Sequence, residues 1–142
     1  MKFFIVSFIF IAVITTLIAT KPLYIADIGD NFIENAELQK NKNCLDACNA
    51  SIEASNKCVA MCLKENQSTM NVCIQLCKEN IIACKAAIDL MKLNSVNAKA
   101  MCLTTAQFLE RCASECEKYN MVHCKQNAML CQKAAKLCKE MK

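Results

Sequence analysis

The chain almost lacks the two residues that make tight turns. Its 142 residues include one glycine, Gly29, and one proline, Pro22, so residues 30–142 contain neither. Two-residue hairpin turns need residues that adopt positive φ, and nucleotide-binding loops need glycine at fixed positions. Hairpin-rich sheets and glycine-rich phosphate loops are therefore excluded. Since the rest of the chain is rich in Ala, Leu, Met, Lys, Glu and Gln, which favour helices, the sequence predicts an all-α fold.

Polar breaks divide residues 44–142 into four segments, at 65–69, 93–95 and 119–120. Each segment of about 20 residues would form a helix of about 30 Å. Four such helices with short connections are expected to pack as one antiparallel four-helix bundle. Side chains that can accept a hydrogen bond from a free backbone N–H predict the helix N-caps, which we place at Asn43, Ser68, Ser95 and Asn120.

The thirteen cysteines recur at helical spacing within these segments. At about 100° per residue, the cysteines of each segment lie within about 40–80° of arc, with Lys and Glu on the opposite faces. We therefore predict that every helix directs its thiols toward the bundle axis and that the core is lined with sulfur. The candidate metal ligands are Cys44, Cys48, Cys58, Cys62, Cys73, Cys77, Cys84, Cys102, Cys112, Cys116, Cys124, Cys131 and Cys138.

The N-terminus has a different pattern. Lys2 precedes an apolar run over residues 3–19, as in a secretory signal, although the run is slightly long for a signal and slightly short for a membrane span. Residues 1–20 are therefore predicted to be a signal peptide or an N-terminal membrane anchor. Residues 21–43 are predicted to be a linker, in part helical. In both cases we expect the bundle, residues 44–142, to be exported to the periplasm or the cell exterior, with membrane attachment only if the segment is not cleaved.

Charge and composition exclude several functions. The chain has 17 basic and 13 acidic residues, a net charge of +4 that is too small and too dispersed for nucleic-acid binding. It has one histidine and no pattern of paired carboxylates, and its thiols are too numerous and regular to serve as a single nucleophile. The sequence therefore does not predict an enzyme.

Three uses of the thiols can be compared. Free cysteine packs as a small hydrophobe, but packing alone does not require thirteen on four helices. Export favours disulfides, but the odd number leaves one thiol over. The four Cys-x-x-x-Cys pairs also place their Cβ atoms about 5–6 Å apart along a helix, whereas a disulfide needs about 3.5–4.5 Å. A disulfide-stapled secreted interaction protein remains an alternative.

The same spacing suits a thiolate–metal–thiolate bridge, because metal–sulfur bonds are near 2.3 Å for zinc, as a rough guide. Zinc usually takes four ligands from Cys-x-x-Cys knuckles, and the chain has none. Cu(I) accepts two or three thiolates, so a sulfur-lined core could hold on the order of ten or more Cu(I) ions. A metallothionein-like zinc or cadmium buffer remains the second alternative.

Residues 44–138 resemble the Cys-rich four-helix-bundle copper storage proteins of bacteria. The sharpest match is Cys-Ala-Ser-Glu-Cys-Glu-Lys-Tyr-Asn-Met-Val-His-Cys over residues 112–124, continuing through Cys131 and Cys138. The stretch Cys-Val-Ala-Met-Cys at 58–62, leading to Met70 and Cys73, also matches. This chain departs from many members at four positions where they carry further cysteines. These are Ser51, Ser55, Asn127 and Ala134.

The resemblance implies an antiparallel bundle whose core thiolates store or sequester many Cu(I) ions. Some members are exported and form homotetramers, so a tetramer is expected. In members of the family a His or Met set at one end of the bundle helps copper to enter. The resemblance therefore adds His123 and Met70 to the candidate copper ligands, with Met61 and Met121 expected at the same end.

Overall fold

The computed structural model describes residues 24–65 and 68–141, which are helical apart from short connections and contain no strand. The predicted signal or anchor at residues 1–20 lies outside this part. No helix in the described ranges is both long and apolar enough to cross a membrane. The elements in chain order are α1 (Tyr24–Lys64), a 3₁₀ turn (Ser68–Met70), α2 (Asn71–Lys92), α3 (Ala98–Glu117) and α4 (Val122–Lys139).

The four helices form an antiparallel bundle, as the sequence predicted. Helix α1 packs against α2 and α4, and α3 packs against the same two helices. The direction of α1 and α4 follows from their contacts, because Cys44 meets Cys138 at one end while Cys58 meets Cys124 further along. The short connections leave no other arrangement for helices of this length.

Helix α1 is longer than expected. Within the described residues it spans Tyr24–Lys64, 41 residues, so Asn43 lies inside it and the predicted N-cap at Asn43 is wrong. Residues 30–43 contain neither Gly nor Pro, and nothing in them interrupts a helix. The side chains at 38–40 are exposed, and Cys44 is the first buried side chain among those that the structure describes. The division into signal, linker and bundle stays a prediction.

The other predicted N-caps are displaced by one or two residues. The N-caps are Met70 for α2, Asn97 for α3 and Met121 for α4, and none makes a side-chain capping bond. Ser95 still contributes, since its Oγ accepts a hydrogen bond from the Asn97 N–H at 3.2 Å. Polar breaks mark where a helix stops, but the terminal residue depends on how the connection packs.

Asn94 allows the chain to turn without glycine after α2. It has φ of 48°, the left-handed conformation that Asn tolerates better than most residues. The Asn94 N–H donates to the Met91 carbonyl and the Ser95 N–H donates to the Leu90 carbonyl, at 3.1 and 3.0 Å. These two bonds form a Schellman motif, which satisfies the last carbonyls of α2.

The core consists of small side chains. Apart from cysteines it contains mainly alanines, with a few larger residues such as Leu109, Met70 and Met91. Leu109, on α3, is fully buried. It is therefore one of the few positions where a large aliphatic side chain fills the space between the helices.

We predict that Leu109→Ala lowers the free energy of unfolding by about 2–5 kcal/mol, because it removes buried apolar surface and leaves a cavity. Leu103 on the same helix is 43% exposed, so Leu103→Ala is the matched control, with a smaller expected loss. Urea unfolding of the reduced, metal-free protein measures both. Equal losses for the two variants would contradict this view of the core.

Candidate metal centre

All thirteen predicted thiols lie in the core. Each cysteine is at most 1% exposed, and all are free thiols rather than disulfides. The helical stripes deduced from the sequence therefore face the bundle axis on all four helices. The free thiols count against the disulfide-stapled alternative.

Seven of the thiols form one connected group at the end of the bundle where the α1–α2 and α3–α4 connections lie. Cys58 is the centre of one half, with its Sγ 3.8 Å from Cys62 and Cys124 and 4.0 Å from Cys73. Cys116 links the other half, 3.4 Å from Cys73 and 4.0 Å from Cys77. Cys112 completes the group, 3.7 Å from Cys77. We call these residues the seven-thiol set.

Within the seven-thiol set, two groups of four sulfurs are close enough to share a metal ion. The Sγ atoms of each group all lie within 4.8 Å of one another. Both groups contain Cys58 and Cys73, so two ions bound here would share thiolates. The first group is completed by Cys62 and Cys124, and the second by Cys77 and Cys116.

A second group of thiols lies at the opposite end of the bundle. Cys138 is its centre, with Sγ atoms at 3.3 Å from Cys44 and 3.6 Å from Cys48. Cys44, Cys138 and Cys102 form a further three-sulfur group within 4.8 Å. Cys84 is fully buried on α2 toward this end, one turn beyond Asn80, whose Oδ1 accepts from its thiol at 3.4 Å. The neighbouring Cys48 thiol raises the pKa of Cys84, and we count Cys84 with this group. We call these five cysteines the five-thiol set.

Four buried polar side chains lie between the two sets, on α1, α2 and α4. Asn80 Nδ2 donates to the hydroxyls of Ser51 and Ser55 at 3.0 and 2.9 Å, and the Ser55 hydroxyl donates to Asn127 Oδ1 at 3.0 Å. Asn127 Nδ2 also lies 3.3 Å from the sulfurs of Cys77 and Cys116. We call Ser51, Ser55, Asn80 and Asn127 the polar band. The sequence had singled out three of them, but Asn80 was missed, although it occupies a cysteine-stripe position between Cys77 and Cys84.

His123 is buried at the end of the bundle where the α1–α2 and α3–α4 connections lie, next to the seven-thiol set. Its Nε2 lies 3.5 Å from Cys62 Sγ, and its Nδ1 lies 4.0 Å from Glu65 Oε1. The structure therefore brings His123 to the thiols, although helical geometry places it about 100° from the cysteine stripe of α4. Met70 is fully buried in the core at the same end, and Met121 packs against the core while Met61 is partly buried.

Tyr119 makes hydrogen bonds at this end that the sequence did not predict. The Tyr119 hydroxyl hydrogen-bonds to the Thr69 carbonyl at 3.0 Å and to Glu115 Oε1 at 3.1 Å. Burial and the Glu115 carboxylate raise the pKa of Tyr119 to about 12. These hydrogen bonds hold the α1–α2 connection against the end of α3, next to the seven-thiol set.

Burial keeps several thiols neutral in the metal-free protein. It raises the pKa of Cys62, and it raises the pKa of Cys124 to about 12 from an ordinary value of 9.0. Neutral thiols avoid the cost of charge in a core without water. A cation that binds here must displace their protons, and the thiolates that result are neutralised by the cation.

We predict that the reduced, metal-free protein loses stability as the pH rises from about 9 toward 12. Above pH 9 the unfolded chain ionises Cys124, whereas the folded state holds it neutral until about pH 12, so deprotonation favours unfolding. Melting temperatures measured across this range test the effect. Cys124→Ser is the control, because it removes one ionisable thiol and should make the fall shallower. A melting temperature that falls equally steeply in both proteins would contradict the assignment.

Comparison with known proteins agrees with this geometry. The family model described as copper storage protein matches residues 37–142. The Cu(I)-bound copper storage protein 3 of Bacillus subtilis is 31% identical, with a TM-score of 0.69 over 72% of this chain and 97% of that chain. Its apo form is also 31% identical, with a TM-score of 0.66 over 70% of this chain and 96% of that chain.

A protein of Nitrosospira multiformis, Nmul_A1745, shares the fold at 21% identity, with a TM-score of 0.67 over 72% of this chain and 94% of that chain. No curated protein sequence shows significant similarity to the chain. The family match covers most of the chain and all thirteen buried thiols. The chain therefore belongs to the copper storage protein family.

Proposed function

We propose that this protein stores Cu(I) on the thiolates of its bundle core. The observation that carries the proposal is the arrangement of the sulfurs, because neighbouring four-sulfur groups share Cys58 and Cys73. Soft thiolates select Cu(I), which is satisfied by two or three of them. Shared sulfurs therefore suit a row of Cu(I) ions along the axis. The family match and the Cu(I)-bound relative from Bacillus subtilis support this choice of metal.

The geometry favours copper over zinc. Zinc in structural sites is held by four ligands in a closed tetrahedron. The two four-sulfur groups cannot each close around a zinc ion with independent ligands, since they share two sulfurs. At the opposite end, the sulfurs that all lie within 4.8 Å of one another are the three of Cys44, Cys102 and Cys138, a number that suits Cu(I) but does not complete a tetrahedral zinc site.

His123 and Met70 are further candidate ligands at the end of the bundle where the α1–α2 and α3–α4 connections lie. His123 Nε2 lies beside Cys62 and both side chains are buried, so copper bound at this end can pass between nitrogen and sulfur ligands. We propose that this end is where copper enters. The buried Met70, three residues before Cys73, supplies a thioether at this end of the core, and a thioether is also a soft ligand.

The remaining parts of the proposal extend beyond the bundle. We propose a non-enzymatic role, since the buried thiols are ligands rather than a single activated nucleophile. We also propose export, on the basis of the apolar N-terminal segment, and assembly as a homotetramer, on the basis of the family resemblance.

An anaerobic titration of the reduced protein with Cu(I), against a chromophoric Cu(I) chelator, tests the function. We expect on the order of ten or more equivalents to bind before the chelator colours, because neighbouring ions can share the sulfurs of the thirteen thiols. Replacing both shared ligands, Cys58→Ser with Cys73→Ser, should lower the capacity, whereas Met129→Ala at an exposed site should not. Binding of zero to two equivalents would refute storage, and displacement of the copper by zinc would favour the zinc alternative.

A second prediction concerns entry. His123→Ala should slow the initial uptake of Cu(I) by roughly tenfold, the effect of about 1.4 kcal/mol on a barrier, while the capacity changes by no more than one ion. Stopped-flow absorbance of Cu(I)–thiolate formation measures the rate. Val122→Ala, at the exposed neighbouring position, is the control. Equal rates for the variant and the wild-type protein would exclude His123 from the entry path.

A further inference from the structure

The polar band interrupts the sulfur lining at the middle of the bundle. Its four side chains, Ser51, Ser55, Asn80 and Asn127, are all fully buried. Ser51 and Ser55 follow the cysteine stripe of α1 between Cys48 and Cys58, so that α1 carries hydroxyls between two pairs of thiols. The interruption therefore lies on the axis and not at the edge of the core.

The band is already saturated with hydrogen bonds. Asn80 Nδ2 donates to both serine hydroxyls, and Asn80 Oδ1 lies 3.4 Å from the Cys84 thiol, which donates to it. Asn127 Oδ1 accepts from Ser55. Among the described residues, no buried side-chain nitrogen or oxygen lacks a partner. A metal ion could bind to the band only by breaking these bonds, and each broken bond leaves a buried polar group unpaired.

Amide and hydroxyl oxygens are also poor ligands for Cu(I), which prefers sulfur. The Sγ–Sγ contacts of 4.0 Å or less that build the seven-thiol set do not extend to the five-thiol set. The three sulfur groups that could hold a metal ion also lie entirely on one side or the other. Sulfur contacts of this length are therefore continuous within the seven-thiol set and absent between the two sets.

One thiol lies within the band. Cys131 Sγ is 3.3 Å from the Ser51 hydroxyl and 3.6 Å from Asn80 Nδ2. Its thiol donates to Asn127 Oδ1 at 3.6 Å. Cys131 is surrounded by polar groups and is the single sulfur between the two sets.

We infer that the polar band divides the stored copper into two pools, one on the seven-thiol set and one on the five-thiol set, that fill and empty separately. This inference rests on the proposed storage of Cu(I). The pool on the seven-thiol set lies beside His123 and exchanges copper first. The pool on the five-thiol set is retained longer, because copper has no continuous row of sulfurs along which to leave it through the entry end.

Removal of copper from the fully loaded full-length protein by an excess of a chromophoric Cu(I) chelator tests the division. We expect two phases whose rates differ by roughly tenfold or more, the larger amplitude belonging to the seven-thiol set. Cys73→Ser should reduce the amplitude of the fast phase only, and Cys102→Ser that of the slow phase only. A single phase, or variants that each reduce both phases in proportion, would overturn the inference.

Restoring sulfur to the band gives the complementary test. The double substitution Ser51→Cys with Ser55→Cys changes only oxygen to sulfur and should merge the two phases into one. Asn127→Cys is the second variant, used if the first does not fold as judged by circular dichroism. Ala134→Cys is the matched control, since it adds a buried thiol outside the band and should leave two phases. Two unchanged phases in a folded band variant would show that the band does not separate the pools.

Failure of this inference can be told apart from failure of the proposed function. If the titration gives ten or more bound ions, as a rough threshold, but the removal is not divided between the sets, storage stands and the division is wrong. If the titration gives almost none, storage itself is wrong and the division falls with it.

Discussion

Burial of thirteen thiols along one axis is the constraint on which the rest of the structure depends. Because cysteine is small and behaves as a weak hydrophobe, a core of cysteine and alanine lets four helices approach closely. Larger residues such as Leu109 and Met70 occur at few positions. The fold therefore does not need the metal to fill its interior, and the thiols already lie at short sulfur–sulfur distances from one another.

The same burial decides the electrostatics. In the absence of metal, a core of thiolates would place many negative charges in an interior without water, so burial raises the pKa of thiols such as Cys62 and Cys124. Monovalent copper replaces the proton on sulfur by another single positive charge. The core can thus fill with ions while its net charge stays small, which suits storage of many ions better than binding of divalent ions on shared ligands.

The polar band shows that this core is not uniform. The amide groups of Asn80 and Asn127 are hydrogen-bonded to hydroxyls and sulfurs. In the described part of the chain, no buried side-chain nitrogen or oxygen lacks a partner. A buried network of this kind is favourable only when it is complete. Its completeness makes it a stable interruption of the sulfur lining, and that interruption is what gives the two ends of the bundle separate sets of ligands.

By itself the sequence determined the helical class, the four-helix arrangement and the inward direction of every cysteine, because helical spacing and the absence of turn residues are local properties. It could not determine that α1 continues through Asn43 toward its N-terminus, since helix ends depend on neighbouring contacts. Only the tertiary structure decided which sulfurs meet across helices, placed His123 beside Cys62 and joined Asn80 to Ser51 and Ser55. These are contacts between residues distant in sequence, and they depend on the register between helices, which no single helix encodes.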